Sequence, residues 1–172
     1  GSTLVLRHGL IAGTDMAGPA IYCYDSTAQL DGCTIAHNGP AYSSPSAMYA
    51  FIGQHAMRLH GSTATVTNSI LWENDNGFGQ QIGLDESTLT VSYSDIEGGR
   101  ELIRAEDSVL NWGAGMIDAD PAFADPSTKD FQLKSLFGRW DATAGQWVPD
   151  AVHSPCIDAG NPTGDFPMEP PP

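Results

Sequence analysis

The sequence predicts an all-β fold, a right-handed parallel β-helix (solenoid) of about four coils with an irregular C-terminal cap. Three observations carry that prediction. The first is a register that repeats: Ile21, Met57 and Ile82 each stand nine residues ahead of Leu30, Val66 and Val91. The second members sit in similar text, TAQLDGCTI (27–35), TATVTNSIL (63–71) and STLTVSYSDI (87–96), and STLVLRHGLI (2–11) puts Leu6 in the same column. The second observation is the period. Spacings of 24, 36 and 25 residues down that column fit short strands that bury their apolar side only by stacking, with an insertion of about eleven residues in the middle coil. The third is composition. Charged residues make up 16% of the chain, against roughly a quarter in ordinary domains, while glycine is plentiful at 19.

Each strand follows from alternation, because side chains on a strand have a period of two. In AIYCY (20–24) Ile21 and Cys23 point in, while Tyr22 and Tyr24 point out. In AMRLH (56–60) Met57 and Leu59 point in, with Arg58 and His60 outward. In QQIGL (80–84) Ile82 and Leu84 point in and Gln81 out. Coils stacked at about 4.8 Å then align Tyr22, Arg58 and Gln81 in one outward ladder, and Tyr24, His60 and Gly83 in the next. A second sheet uses Leu30, Val66 and Val91, and a third face uses Ile35, Leu71 and Ile96. Parallel crossovers are almost always right-handed, which sets the hand of the coil.

The coils are expected over residues 1–115, with Leu102-Ile103 and Val109-Leu110 in a last irregular turn. Residues 116–165 are expected to cap the stack. MIDADPAFADPSTKDFQLKS (116–135) is rich in Asp-Pro, and FGRWDATAGQWV (137–148) sets two Trp-bearing arms around a glycine-containing turn, a hairpin pattern. Phe123, Trp140, Trp147 and SPCIDAGNP (154–162) are the residues expected to cover the exposed last rung. The Pro-rich tail, 166–172, reads as disordered or as the lead into a further module. The chain enters the repeat mid-coil after Gly1-Ser2, so it is read as a piece of a longer protein.

The net charge is −14, from 21 acidic and 7 basic residues. Nucleic acid is excluded as a partner on this ground, since its binding relies on Lys and Arg neutralising phosphates. A soluble carbohydrate or a divalent cation fits better. No apolar run approaches the roughly 20 residues of a membrane span. Cys23 and Cys33 read first as small core residues on successive strands, and second as a disulfide. With Cys156 the count is three, so at least one thiol is unpaired. No CxxC or Cys/His spacing supports a metal or catalytic thiol. Oligomeric state is open.

NSILWEN (68–74), VSYSDIEGG (91–99), IDADPAFADP (117–126) and SPCIDAGNP resemble the C-terminal end of right-handed parallel β-helix repeat proteins of the pectate-lyase-like superfamily, large secreted proteins of environmental bacteria. The resemblance spans roughly residues 20–165. It implies the fold, and export or cell-surface display. It implies no single activity, because such helices serve pectate lyases, polygalacturonases, epimerases, tailspikes and adhesins alike. The lyase pattern, an Asp cluster for calcium with an Arg base on one parallel sheet, is not evident.

The strongest surface constellation is Tyr22, Tyr24, Arg58 and His60, with His55 just before the strand and Gln81 in the ladder. Aromatic rings with polar tips suit stacking on sugars, Arg58 can hold a hydroxyl or carboxylate, and His60 can titrate near neutrality. The insertion within GPAYSSPSAMYAFIGQ (39–54) is placed to wall a groove over this face. Outward Tyr and Arg also stabilise a ladder simply by stacking. For acid–base work on a glycosidic bond, two carboxylates are needed. Asp95 and Glu97, two apart on one strand, form one pair, and Glu73 with Asp75 another, although Asp at a corner commonly bonds its own backbone. Arg58 and His60 are the other catalytic candidates. Asp118, Asp120, Asp125 and Asp130 gather oxygen ligands in a way that suits calcium, but Asp-Pro turns explain the same residues. Zinc from His8, His37, His55, His60 and His153 lacks any ligand spacing. Two functions remain: a carbohydrate-binding or polysaccharide-degrading module (as an enzyme, a glycoside hydrolase or polysaccharide lyase), or a structural stalk or adhesin segment.

Overall fold

The computed structural model describes residues 1–14, 18–39, 55–74 and 80–164. They form a parallel β-helix with three sheets. Strands β1 (Thr3–Arg7) and β2 (Leu10–Ala12) begin the stack. Three coils follow: β3 (Ile21–Tyr24), β4 (Thr27–Asp31) and β5 (Thr34–Ala36); β6 (Met57–His60), β7 (Thr63–Thr67) and β8 (Ile70–Trp72); β9 (Ile82–Asp85), β10 (Thr88–Ser92) and β11 (Asp95–Ile96). A last turn holds β12 (Arg104–Glu106) and β13 (Val109–Trp112), and Ile117 bridges to Asp95 in parallel. The sheet orders are β1-β4-β7-β10-β13, β2-β5-β8-β11 and β3-β6-β9-β12.

The register is the one the spacing demands. Leu6, Leu30, Val66 and Val91 stand in one column, continued by Trp112. Ile21, Met57 and Ile82 form a second, and Ile35, Leu71 and Ile96 a third. All of these but Leu6 and Trp112 are buried and make one continuous core, and Leu6 packs partly buried against it. At its C-terminal end Leu110, Trp112 and Met116 pack, partly buried, against it. Cys23 and Cys33 are both free and buried within that core. Cys33 sits at a corner between strands, not on one.

The corners explain why such short strands stay in register. Asp25, Gly61, Glu86 and Asp107 all have positive φ, between 46° and 57°, at equivalent places in successive coils. A left-handed residue costs energy when it is not glycine, and the serine that follows each one offsets that cost. Ser62, Ser87 and Ser108 accept backbone N–H bonds from Ser26, Ser62 and Ser87 at 2.9–3.0 Å, and each hydroxyl donates to the carbonyl two residues back. The second corner repeats the device, with Cys33, Ser69 and Ser94 after Gly32, Asn68 and Tyr93. At the third corner the ladder is of amides. Asn38 N donates to Asn74 Oδ1 at 3.2 Å, and Asn74 N donates to Gln81 Oε1 at 3.3 Å.

That ladder corrects the placement of Gln81. The side chain is 1% exposed and points to the corner, not outward. In its coil the corner residues are Gly98 and Gly99, which carry no amide, so Gln81 reaches in to complete the ladder and donates to Glu97 Oε2 at 2.8 Å. The outward ladders are therefore Tyr22–Arg58–Gly83–Arg104 and Tyr24–His60–Asp85–Glu106. Gly83 moves to the first ladder and Asp85 takes its place in the second.

The C-terminal segment packs on the flank of the helix. Strands β14 (Phe123–Asp125) and β15 (Asp130–Leu133) pair antiparallel. Phe123 and Phe131 meet edge-on at 5.3 Å and bury with Ala36 against Ala12, Ile70 and Trp72, on the outer side of β2-β5-β8. Strands β16 (Arg139–Asp141) and β17 (Gln146–Val148) form the expected Trp hairpin. Its tryptophans do not cover the last rung: Trp140 is 46% and Trp147 70% exposed. They are a cross-strand pair with centroids 6.5 Å apart. Arg139, adjacent in sequence and so on the other side of the strand, is tied to Asp130 and Asp150. Phe123→Ala should cost about 3–5 kcal/mol, read as a lower urea midpoint with an unchanged slope. A loss near zero would show that the flank cluster does not hold the segment.

Residues 40–54, which contain nearly all of the insertion, Asp75 and residues 165–172 lie outside the described residues. Among those described, no helix is long and apolar enough to cross a membrane.

Candidate functional site

The outer face of the β3-β6-β9-β12 sheet brings together Tyr22, Tyr24, Arg58 and His60, as alternation requires. Tyr22 and Tyr24 are 57% and 58% exposed on one strand. The Tyr24 ring stacks on His60 at 4.9 Å with 14° between planes. His60 Nδ1 lies 2.6 Å from Asp85 Oδ2, one rung further along. Ring, imidazole and carboxylate thus run down three successive coils. Arg104 and Glu106 pair with each other at the end of the face.

Arg58 differs from its neighbours. Among the described residues its guanidinium makes neither ion pair nor hydrogen bond. Its neighbour in the ladder is Gly83, and a Cβ there would lie 3.8 Å from Arg58 Cγ and 3.2 Å from His55 Nε2. Gly83 is itself buried, and the side chains of His55 and Arg58 fill the space a Cβ there would take. His55 itself is 4% exposed and its Nδ1–H donates to the Gln80 carbonyl at 2.8 Å. Burial holds the His55 imidazole below its ordinary pKa, the Gln80 bond opposing and the Arg58 and Arg104 charges assisting. His55, expected to meet a ligand directly, is instead buried and packs over Gly83.

The proposed carboxylate pair does not assemble. Asp95 is 2% exposed, with Oδ2 accepting from the Cys156 thiol at 3.0 Å and Oδ1 from Ala119 N at 3.2 Å. Glu97 Oε2 instead accepts from Gln81 Nε2 and from Glu73 N at 2.7 Å. Strand β11 ends at Ile96, so alternation no longer holds both carboxylates to one face, and the C-terminal segment covers the first. Glu73 pairs with His37 at 2.9 Å.

Of the four aspartates expected to hold calcium, Asp120, Asp125 and Asp130 each serve a local turn, and Asp118 reaches back to the preceding coil. Asp118 accepts from Gly98 N, Asp120 from Ala122 N, and Asp125 from Ser127 N and Oγ. Asp130 accepts from Gln132 N and pairs with Arg139. Hydrogen bonds from Ser127 and Thr128 hold the Asp125 carboxyl below its usual range. Asp120 and Asp125, each followed by proline, and Asp130 turn onto the backbone two residues on, and among the described residues no three metal-ligating side chains converge.

Sequence reasoning missed Asp85, Arg104 and Glu106 on the face. The 25-residue step from Val66 to Val91 would have found Asp85 from His60. It also missed the Asp95–Cys156 contact, for which the local pattern holds no signal.

Among known proteins, the profile of a family described as disaggregatase related matches residues 104–160, well short of half the chain. No curated protein and no solved structure matches. The match covers the last coil and the C-terminal segment, and the ladder positions it includes are Arg104 and Glu106 alone.

Proposed function

We propose that this β-helix is a carbohydrate-binding module of an exported or cell-surface protein, and that a glycan lies across the coils on the Tyr22–Arg58–His60 face. The observation that carries the reading is the Arg58 guanidinium, which makes no ion pair or hydrogen bond among the described residues and stands next to the exposed Tyr22 ring on one ladder. Tyrosine faces stack on sugar rings, and a planar fork of donors bridges two hydroxyls. Binding is favoured over hydrolysis because Asp95 and Glu97 serve separate structural bonds and face no common groove. The family resemblance of the C-terminal segment is compatible with a polysaccharide-related role and does not specify one.

A glycan array, run beside reducing-sugar release and an ultraviolet assay for unsaturated products, tests the reading. Binding without release is the expected result. Sugar release would make the module an enzyme. Failure to bind any glycan would leave the stalk reading, in which the same ladders only stiffen the stack.

A further inference from the structure

We propose that the C-terminal segment is an acid-tightened strap: Asp95, buried at the joint between strap and coil, makes the segment dock more firmly on the β-helix in acid than at neutral pH. Strap and helix exchange backbone bonds at Ile117, and Gly98 N donates to Asp118 and Lys129 Nζ to Gly13 O, while three further polar contacts gather near Asp95 and Asn68. Cys156 donates to Asp95, Ala119 N donates to the same carboxylate, and Asn161 N donates to Asn68 Oδ1 at 2.8 Å. Asn68 is a left-handed corner residue with φ 50°, and its side chain is held by donating from Nδ2 to Asp31 Oδ1 at 2.8 Å. Beside these contacts is a small cleft lined by Asn68, Tyr93, Asp95, Gly115, Cys156 and Gly160. Undocking would open this cleft and bare the Ala12, Ile70 and Trp72 side of the β2-β5-β8 sheet, now under Phe123 and Phe131.

A carboxylate that becomes buried only when two parts dock makes the docking depend on protonation. Burial pushes the Asp95 carboxyl up from 3.8 to about 6, against the hydrogen bonds from Cys156 and Ala119 N. Asp118 and Asp120, from the strand-free stretch packed over it, push the same way. The other titratable groups facing it are the Cys156 thiol, itself raised by burial and by Asp95, and the Tyr93 phenol across the cleft. No cation is among these influences, so only two hydrogen bonds favour the charged form against burial and the two aspartates. A raised carboxyl contributes its full docking stability below the undocked value and loses it as pH rises through about 6. The docking constant should then fall by roughly tenfold to a hundredfold between about pH 4 and pH 7.

Hydrogen exchange on the whole chain reads this directly, with each amide corrected for its intrinsic rate. Ala119 N and Asn161 N, which donate across the joint to Asp95 and Asn68, report the strap; Val66, in the middle of the core, reports the helix. At about pH 5 the strap amides should be at least tenfold better protected than at about pH 7.5, with Val66 unchanged. Asp95→Asn, which keeps an acceptor for Ala119 N and removes the charge, should erase that difference. Cys156→Ser, which keeps a donor, should preserve it. Equal strap protection at both pH values in the natural chain, or a difference that survives in Asp95→Asn, overturns the proposal. Should Asp95→Asn fail to fold, the carboxyl carbon of Asp95 followed by NMR decides. A midpoint near 6 supports the strap, and one near the ordinary aspartate value removes its basis.

Discussion

Replacing Asn74 with alanine is expected to destabilise the β-helix by about 3–5 kcal/mol, the largest effect of any single polar residue in the stack. Asn74 is fully buried. Its Oδ1 accepts from both Asn38 N and Asn38 Nδ2, while its Nδ2 donates to Ile35 O at 2.6 Å, to Gln81 Oε1 at 2.9 Å and to Trp72 O at 3.1 Å. Truncation strands groups in two neighbouring coils, and each buried group without a partner costs about 1–3 kcal/mol. Some of that loss is recovered where water or a shifted side chain reaches the gap. For a chain of this size the melting temperature should fall by about 10 °C. Ser87→Ala, which breaks only one corner bond from Ser62 N and one back to Asp85 O, should cost about 1 kcal/mol. Thermal unfolding followed by circular dichroism separates the two. Equal small losses would mean that apolar columns alone hold the coils and the amide ladder is incidental.

The corners also explain which parts of the fold are legible in the sequence. The columns through Leu30, Ile21 and Ile35 could be read because strand alternation and coil spacing are rigid rules, and burial of every second residue follows from them. Gln81 could not be read that way. Its place depends on Gly98 and Gly99 lacking the amide that Asn38 and Asn74 supply in earlier coils, a fact about the far side of the coil. The tryptophan hairpin was legible as a pairing, since Trp140 and Trp147 flank a short turn. Its docking was not, because apolarity says that a ring gains from burial but not which ring finds a surface. Trp112 found one by continuing the Leu6 column at the open end.

The site divides along the same line. Tyr22, Tyr24, Arg58 and His60 share a face through alternation and one 36-residue step, and both rules are local. The Asp95–Cys156 bond joins residues 61 apart across an irregular segment, where no period connects them. Asp95 and Glu97 looked like a pair only while β11 was taken to run past Ile96. Where the strand ends, the rule that put them together ends too.

Arg58→Ala is expected to weaken glycan binding by at least tenfold, which is about 1.4 kcal/mol. The melting temperature should move little. An ion-paired or hydrogen-bonded arginine would make stability and binding hard to separate, but Arg58 has no such partner among the described residues. Only its aliphatic stem, beside Gly83, contributes packing, and surface packing of that kind is worth a fraction of a kcal/mol, about 0.5. Arg58→Lys keeps charge and stem while removing the planar fork, so it distinguishes attraction from geometry. If charge suffices, lysine should bind nearly as well as arginine. If two hydroxyls are bridged, lysine should bind little better than alanine. Tyr22→Ala, next to Arg58 on the same ladder, should weaken the same ligand through lost stacking, by about 1 kcal/mol. An Arg58→Ala protein that unfolds earlier yet binds glycans as before would assign the residue to the scaffold. The face would then be one more ladder that stiffens the stack, and the stalk reading would stand.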